Sequence, residues 1–379
     1  MPAIYAKILY TGKPNEIMNN VYIIFEKEKI VEITSNKPDC EIIAEGVVTP
    51  AFIDAHCHIG MARSGEPSTE GETNERMDSV NTLADAINAI YFDDKAFKES
   101  VEYGVLYSCV LPGSGNIIGG KGVIIRNFAD NIEEAFIKST GFKVALGFNP
   151  RRQLEWKGVR PSTRMGVIAI LKRTLIKAKK EYALVQKGKK TIEEVDPNIE
   201  QLFPVIEGKE VLRVHVHKND DILNLLRLRR EFNLKVVIDH ACDVNSEKIF
   251  QRIKEEGVPI VYGPVDAFPY KTELKNESWH NIGKLVRVKP LFGLMTDHPV
   301  ILQRNLFLQL RFFRRFGMSK TECISIITDA NARILGIDNI LGTVERGKLA
   351  SLIVWNGDPF SLESYPITVI AEGKIVYKA

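Results

Sequence analysis

Two pairs of histidines raise the question of chemistry. His56 and His58 flank Cys57 in "FIDAHCHIG", and His215 and His217 flank Val216 in "VLRVHVHKNDD". His240 closes "LKVVIDHACD", and Asp297 and His298 stand in "LFGLMTDHPV". Each follows a short apolar run. Side chains alternate faces along an extended strand, so histidines two apart point the same way. His56 and His58 can then grip one ion from one side, while Cys57 turns into the packing. Imidazole and carboxylate together suit zinc, iron, manganese or nickel. Six of the seven histidines occupy such positions, His280 being the exception, and random placement would scatter them.

The runs themselves predict the elements that position these groups. Eight short, mostly apolar stretches recur: 47–55, 104–111, 121–126, 142–148, 211–216, 235–240, 258–262 and 291–296. Strands buried on both faces read this way. Helical patterns fall between them at 162–180, with Ser162 as N-cap, and at 220–232, 246–256 and 300–316. Alternation of this kind predicts βαβ units, and eight strands predict an α/β fold of the TIM-barrel, (β/α)8, type. Catalytic groups of that architecture stand at the C-terminal ends of the strands, where the histidines fall. Both ends of the chain read as β: "NNVYIIFEKEKIVEI" predicts a hairpin, and "KLASLIVWNGDP" and "ITVIAEGKIVYKA" predict strands. A small β-sandwich domain from residues 1–49 and 341–379, beside a catalytic barrel over 50–340, is the expected organisation.

Composition narrows the function classes. The chain has 379 residues, is 45% hydrophobic and carries a net charge of +3. No basic stripe with interleaved aromatics marks a nucleic-acid surface. "RLRR" (227–230) and "RFFRR" (311–315) read as solvated helix faces. No apolar run reaches the roughly 18 residues of a membrane span. The first ten residues lack a signal peptide's pattern, and the five cysteines are never spaced as CxxC. A cytoplasmic protein acting on a small molecule is expected, with a homo-oligomer compatible.

Several segments carry a family resemblance across essentially the whole chain. "VVTPAFIDAHCHIG" resembles the first barrel strand of the amidohydrolase superfamily, and "LGTVERGKLASLIVWNGDP" with "VIAEGKIVY" resembles its closing segment. "LPGSGNIIGGKG", "RPSTRMG", "VHVHKNDDI" and "TDHPV" resemble the imidazolonepropionase-like branch. The resemblance implies a metal-dependent barrel flanked by a β-sandwich made from both termini, with one or two divalent ions, zinc foremost. It implies that His56 and His58 bind the more buried metal. His215 and His240 would bind a second metal or complete the first site. Asp297 would touch metal and shuttle the proton, and His240 or a second metal would steady the oxyanion. The fourth strand departs from the pattern: Phe148 stands where many similar proteins have glutamate. Lys143, in "GFKVALGFNP", lies where a carboxylated, metal-bridging lysine could sit, or at a strand start from which it reaches solvent.

The activity implied is hydrolysis of an amide or cyclic amide C–N bond, imidazolonepropionate-like or peptide-like. Deamination and lactone or ester hydrolysis are alternatives on the same site, and a catalytically silent metal-binding homologue is one of another class. Deamination calls for an acid beside the fifth-strand histidine, where the sequence offers His217 and Lys218. Substrate-facing candidates are Arg164, as a carboxylate clamp, with His217, Tyr262 and His298. "PGSGNIIGGKG" (112–122) fits no phosphate-binding motif and reads as an active-site loop.

Overall fold

The computed structural model describes residues 1–151 and 160–379. Its strands are β1 (Ala3–Tyr10), β2 (Ile17–Glu26), β3 (Lys29–Thr34), β4 (Ile42–Pro50), β5 (Phe52–Cys57), β6 (Val105–Val110), β7 (Ile118–Arg126), β8 (Phe136–Ala145), β9 (Val211–Val216), β10 (Lys235–His240), β11 (Ile260–Tyr262), β12 (Phe292–Leu294), β13 (Leu352–Trp355), β14 (Pro366–Ala371) and β15 (Lys374–Lys378). They form two sheets.

The first sheet joins the two ends of the chain in the order β15-β14-β13-β4-β1-β2-β3. Its alternating positions build a core of their own, in which Ile4, Leu9, Ile23, Phe25, Val48, Leu352 and Ile370 are buried. The predicted hairpin forms between β2 and β3, with Lys27 taking the left-handed turn position at φ +52°.

The second sheet runs β12-β11-β10-β9-β8-β7-β6-β5, in sequence order. Every predicted apolar run contributes a strand to it, and the first run also supplies the end of β4. Asn331 bridges its two edges: Nδ2 donates to Ile53 O at 2.6 Å and to Leu294 O at 2.9 Å. Thr296 N donates to Asp54 Oδ1 at 3.1 Å across the same seam. The result is an α/β fold around a nearly closed barrel sheet.

One strand corrects the (β/α)8 expectation. β7 lies antiparallel to both β6 and β8, while the remaining barrel pairs are parallel. The reason is length: parallel neighbours need a crossover of a dozen or more residues, and the connection 111–117 is too short for one.

Helices pack outside the later strands. Arg164–Gln186 is capped by Thr163, not Ser162: Thr163 Oγ1 accepts from Gly166 N at 3.1 Å. It buries Val167, Leu171, Leu175 and Ala178 at helical spacing. The predicted helix over 300–316 breaks into short turns before Leu310–Arg315. Gln303 and Gln309 are drawn inward, where Gln303 Nε2 donates to Asp54 Oδ2 at 3.0 Å and Gln309 Oε1 accepts from Val265 N at 2.7 Å. No described helix is long and apolar enough to cross a membrane.

Candidate metal centre

The C-terminal ends of β5, β9, β10 and β12 bring His56, His58, His215, His217, His240, Asp297 and His298 to one end of the barrel. Cys57 points away, its Sγ 3.7 Å from Cys109 O within a separate apolar cluster. His240 and Asp297 adopt left-handed backbone conformations, at φ +82° and +52°. Such conformations cost of the order of 1–3 kcal/mol each in non-glycine residues and persist only where the surroundings enforce them. Asp297 N donates to His56 O at 3.0 Å, and Gly263 N to His240 O at 3.4 Å, which fixes both turns.

The ring orientations leave specific nitrogens for a ligand. His58 Nδ1 lies 2.7 Å from Leu111 O, and His240 Nδ1 lies 2.9 Å from Gly263 O. A carbonyl accepts only, so each Nδ1 carries the proton and each Nε2 is free to coordinate. Burial, then the charge of Lys143, holds His56 down to about 3. Burial, then the neighbouring imidazoles His215 and His217, holds His240 well below the usual range. These are neutral rings at neutral pH. His58 Nε2 and His56 Nε2 stand 3.2 Å and 3.5 Å from Asp297 Oδ1. The Asp297 carboxyl is held below the usual carboxylate range against the effect of burial, with Lys143 the cationic side chain beside it. Lone pairs facing a carboxylate at this separation repel unless a cation lies among them, a place that the Lys143 ammonium, 3.0 Å from His56 Nε2, takes at His56. His240 Nε2 and both ring nitrogens of His217 are buried with no hydrogen-bond partner among the described residues. Donor atoms of His56, His240 and Asp297 lie within 4.8 Å of one another, as do those of His215, His217 and His240. The donor set fits a divalent metal.

Lys143 enters the centre from β8. It is fully buried, and its Nζ lies 3.0 Å from His56 Nε2. Its side chain does not reach solvent. Burial lowers its ammonium to about 8, against the pull of Asp239 and Asp297.

Three functional neighbours were not anticipated. Arg213 on β9 is buried and donates from Nη2 to Asp239 Oδ1 at 2.6 Å and to Ala55 O at 2.8 Å. Asp239 Oδ2 faces His56 Nδ1 at 3.5 Å. This pair stands behind His56, with a carboxylate oxygen facing its ring. Its signal was present, since opposite charges in adjacent apolar strands must find each other. The third, Glu273, comes from the connection between β11 and β12. Its Oε1 lies 3.2 Å from His215 Nε2, and its Oε2 accepts from Phe148 N at 2.8 Å.

A cavity of about 790 Å³ opens over the centre. His58, Lys143, His215, His240, Asp297 and His298 form its floor side, with Gly113, Ser114 and Gly115 from the glycine-rich loop and Phe148, Asn149 and Lys271 around it. His298 is placed to meet a ligand: Gln303 N donates to its Nδ1 at 3.2 Å, and its Nε2 has no hydrogen-bond partner among the described residues. His217 lines a smaller adjoining recess and belongs with the candidate ligands rather than with the main cavity. Two substrate-facing expectations are corrected. Arg164 is committed to Asp221, whose Oδ1 lies 2.7 Å from Nε and 2.6 Å from Nη2, and is absent from the cavity lining. Tyr262 is buried with its ring edge-on to Phe313, because β11 turns that position outward against the helix layer.

Comparison with known proteins places the chain in a family. The model of the amidohydrolase family matches residues 206–376. A crystal structure of an amidohydrolase from Thermotoga maritima MSB8 shares 31% sequence identity over the full length of both chains, with a TM-score of 0.92. The amidohydrolase tasK of Hapsidospora irregularis is 23% identical over 93% of this chain, which spans only 39% of that relative's length. The imidazolonepropionase of Picrophilus torridus is also 23% identical, over 92% of this chain and 89% of its own. The chain belongs to the amidohydrolase family of hydrolases acting on carbon–nitrogen bonds.

Proposed function

We propose that this protein hydrolyses an amide or cyclic amide bond of a small molecule with a divalent metal, zinc foremost, held by the histidine cluster. The observation that carries the reading is the set of neutral, buried imidazole nitrogens aimed at one another and at Asp297. His56, His58 and Asp297 would hold one ion, and His215 and His240 would hold a second or complete the first. A bound ion supplies Lewis acidity and an acidified water. Asp297, kept ionised, takes the proton of the attacking water and passes it to the leaving nitrogen. His240, locked through Gly263 O, keeps its Nε2 directed at the reacting centre. Buried Lys143, as a neutral amine, can add CO2 to form a carbamate with release of a proton, giving the fourth strand an anionic oxygen that Phe148 does not provide. His298 and the glycine-rich loop face the substrate. The imidazolonepropionase relative favours a cyclic substrate, and the size of the cavity admits a peptide-like one as well.

We also read the chain as two domains, residues 50–340 as a (β/α)8 barrel with one strand reversed, and residues 1–49 with 341–379 as a β-sandwich beside it. A cytoplasmic location and a small-molecule substrate go with this reading. One observation favours deamination instead: Glu273 supplies the acid beside His215 that the strand itself lacks. Ammonia release from a substrate panel distinguishes the two.

The test is Asp297→Asn, assayed on N-acyl amino acids, dipeptides and cyclic ureides together with metal content. Compared per bound metal, the variant should lose about 10²–10⁴-fold in turnover, the range for a positioned proton-transfer group. Wild-type rates from it would remove Asp297 from the reaction.

A further inference from the structure

Residues 269–280, "PYKTELKNESWH", are mostly exposed or half-buried. Glu273 is the exception. It is 2% exposed, while Thr272 beside it is exposed. Its carboxylate is inserted under the cavity, where Oε1 lies 3.2 Å from His215 Nε2 and 3.9 Å from His217 Nε2. Oε2 is anchored by Phe148 N at 2.8 Å. The chain makes room for that oxygen: Gly147 sits at φ +83°, and a Cβ there would stand 2.7 Å from it.

A buried carboxylate needs compensating charge. Lys271 Nζ, 3.5 Å away, is one partner. Beyond the Phe148 amide on Oε2, Oε1 faces the imidazoles of His215 and His217, and His217 has both ring nitrogens buried without a hydrogen-bond partner among the described residues. His215 Nε2 is hydrogen-bonded to Oε1 itself, and an anionic oxygen converging with two buried imidazoles is the donor set of a divalent-cation site.

We infer that Glu273 is a metal ligand, its Oε1 joining His215 and His217 to close a divalent-cation position that the connection between β11 and β12 brings to the fifth strand. Glu273 is then what makes that connection part of the metal centre. This rests on the metal-dependent reading above.

The test uses the full chain, stripped with a chelator and titrated with Co²⁺, read by visible d–d absorption and by metal analysis per chain. Glu273→Gln keeps the size of the side chain and an acceptor for Phe148 N, and Glu273→Asp keeps the charge. Unfolding curves of the metal-free proteins verify that both fold. Glu273→Gln should lose one Co²⁺ per chain or bind at least about 10-fold more weakly, the smaller effect typical of even the outer partners of metal ligands. Its d–d band should change, and Glu273→Asp should fall between it and the wild type. A Glu273→Gln protein matching the wild type in stoichiometry, affinity and spectrum, or binding more tightly, would overturn the assignment. A wild-type chain that binds no Co²⁺ would instead overturn the metal-dependent reading itself.

Discussion

Asp239→Asn separates what holds the barrel together from what holds the metal. Arg213 and Asp239 lie on adjacent strands and are 1% and 0% exposed. Burial disfavours both charges, yet Arg213 holds Asp239 below the usual carboxylate range and Asp239 holds Arg213 above its own, so the pair stays ionised. The guanidinium also serves Ala55 O, a buried carbonyl left out of the ladder where the pairing of β5 with β6 skips from Asp54 to Cys57. Asp239→Asn leaves a buried cation without its counter-ion, which costs about 3–5 kcal/mol. Replacing both residues, as Arg213→Met with Asp239→Leu, removes the stranded charge. What remains is Ala55 O without its donor, worth about 1–3 kcal/mol. The double variant should therefore be more stable than the single one. His56 loses the carboxylate facing its Nδ1 in both, so both should bind metal about 10–100-fold more weakly. Urea unfolding of chelator-treated protein reads the first quantity, and Co²⁺ titration reads the second. A single variant within about 1 kcal/mol of wild type, or a double variant no better than the single, would refute this account of the pair.

Two further predictions test other joints of the structure. Gly147→Ala places a Cβ at a left-handed position, costing roughly 1–2 kcal/mol, and 2.7 Å from Glu273 Oε2; Co²⁺ binding should weaken as in Glu273→Gln, and unchanged affinity would show that Glu273 does not need its present seat. In the loop before the terminal strand β13, Glu345 is bonded by Lys13 Nζ at 2.6 Å, by Thr343 Oγ1 at 2.5 Å and by Lys348 Nζ at 3.2 Å, an arrangement that lowers it from 4.5 to about 2. A depressed carboxyl stabilises the fold above its unfolded value and loses that contribution as pH falls through the folded one. With its side chain 38% exposed, screening limits the gain to under about 1 kcal/mol. The stability gap between wild type and Glu345→Gln should be present at pH 6, shrink with salt and close between pH 4.5 and 2; a gap constant over that range would contradict the assignment.

What the sequence made legible, and what it did not, follows from how each side chain is placed. A histidine at the end of an apolar run is positioned by the strand's own period of two, so His56, His58, His215 and His240 could be assigned a common end of the barrel before any tertiary contact was known. Lys143 was legible only as a candidate: the sequence left it either buried or reaching solvent from the start of its strand, and its full burial is set by the strands on either side. Arg213 and Asp239 carried an equal signal, a charge inside an apolar strand, but each makes sense only with the other, and their pairing depends on β9 and β10 being neighbours. The reversal of β7 was written in the short connection that precedes it rather than in the strand. Glu273 had no such mark. Its neighbours Lys271, Thr272 and Lys275 are what a solvated loop contains, and no local period distinguishes the one acid that turns inward. Its position is set by distant residues, the amide of Phe148 and the missing side chain of Gly147. Groups placed by strand geometry can be read one segment at a time, whereas a group placed by the closure of one loop over another strand's end exists only in the assembled barrel.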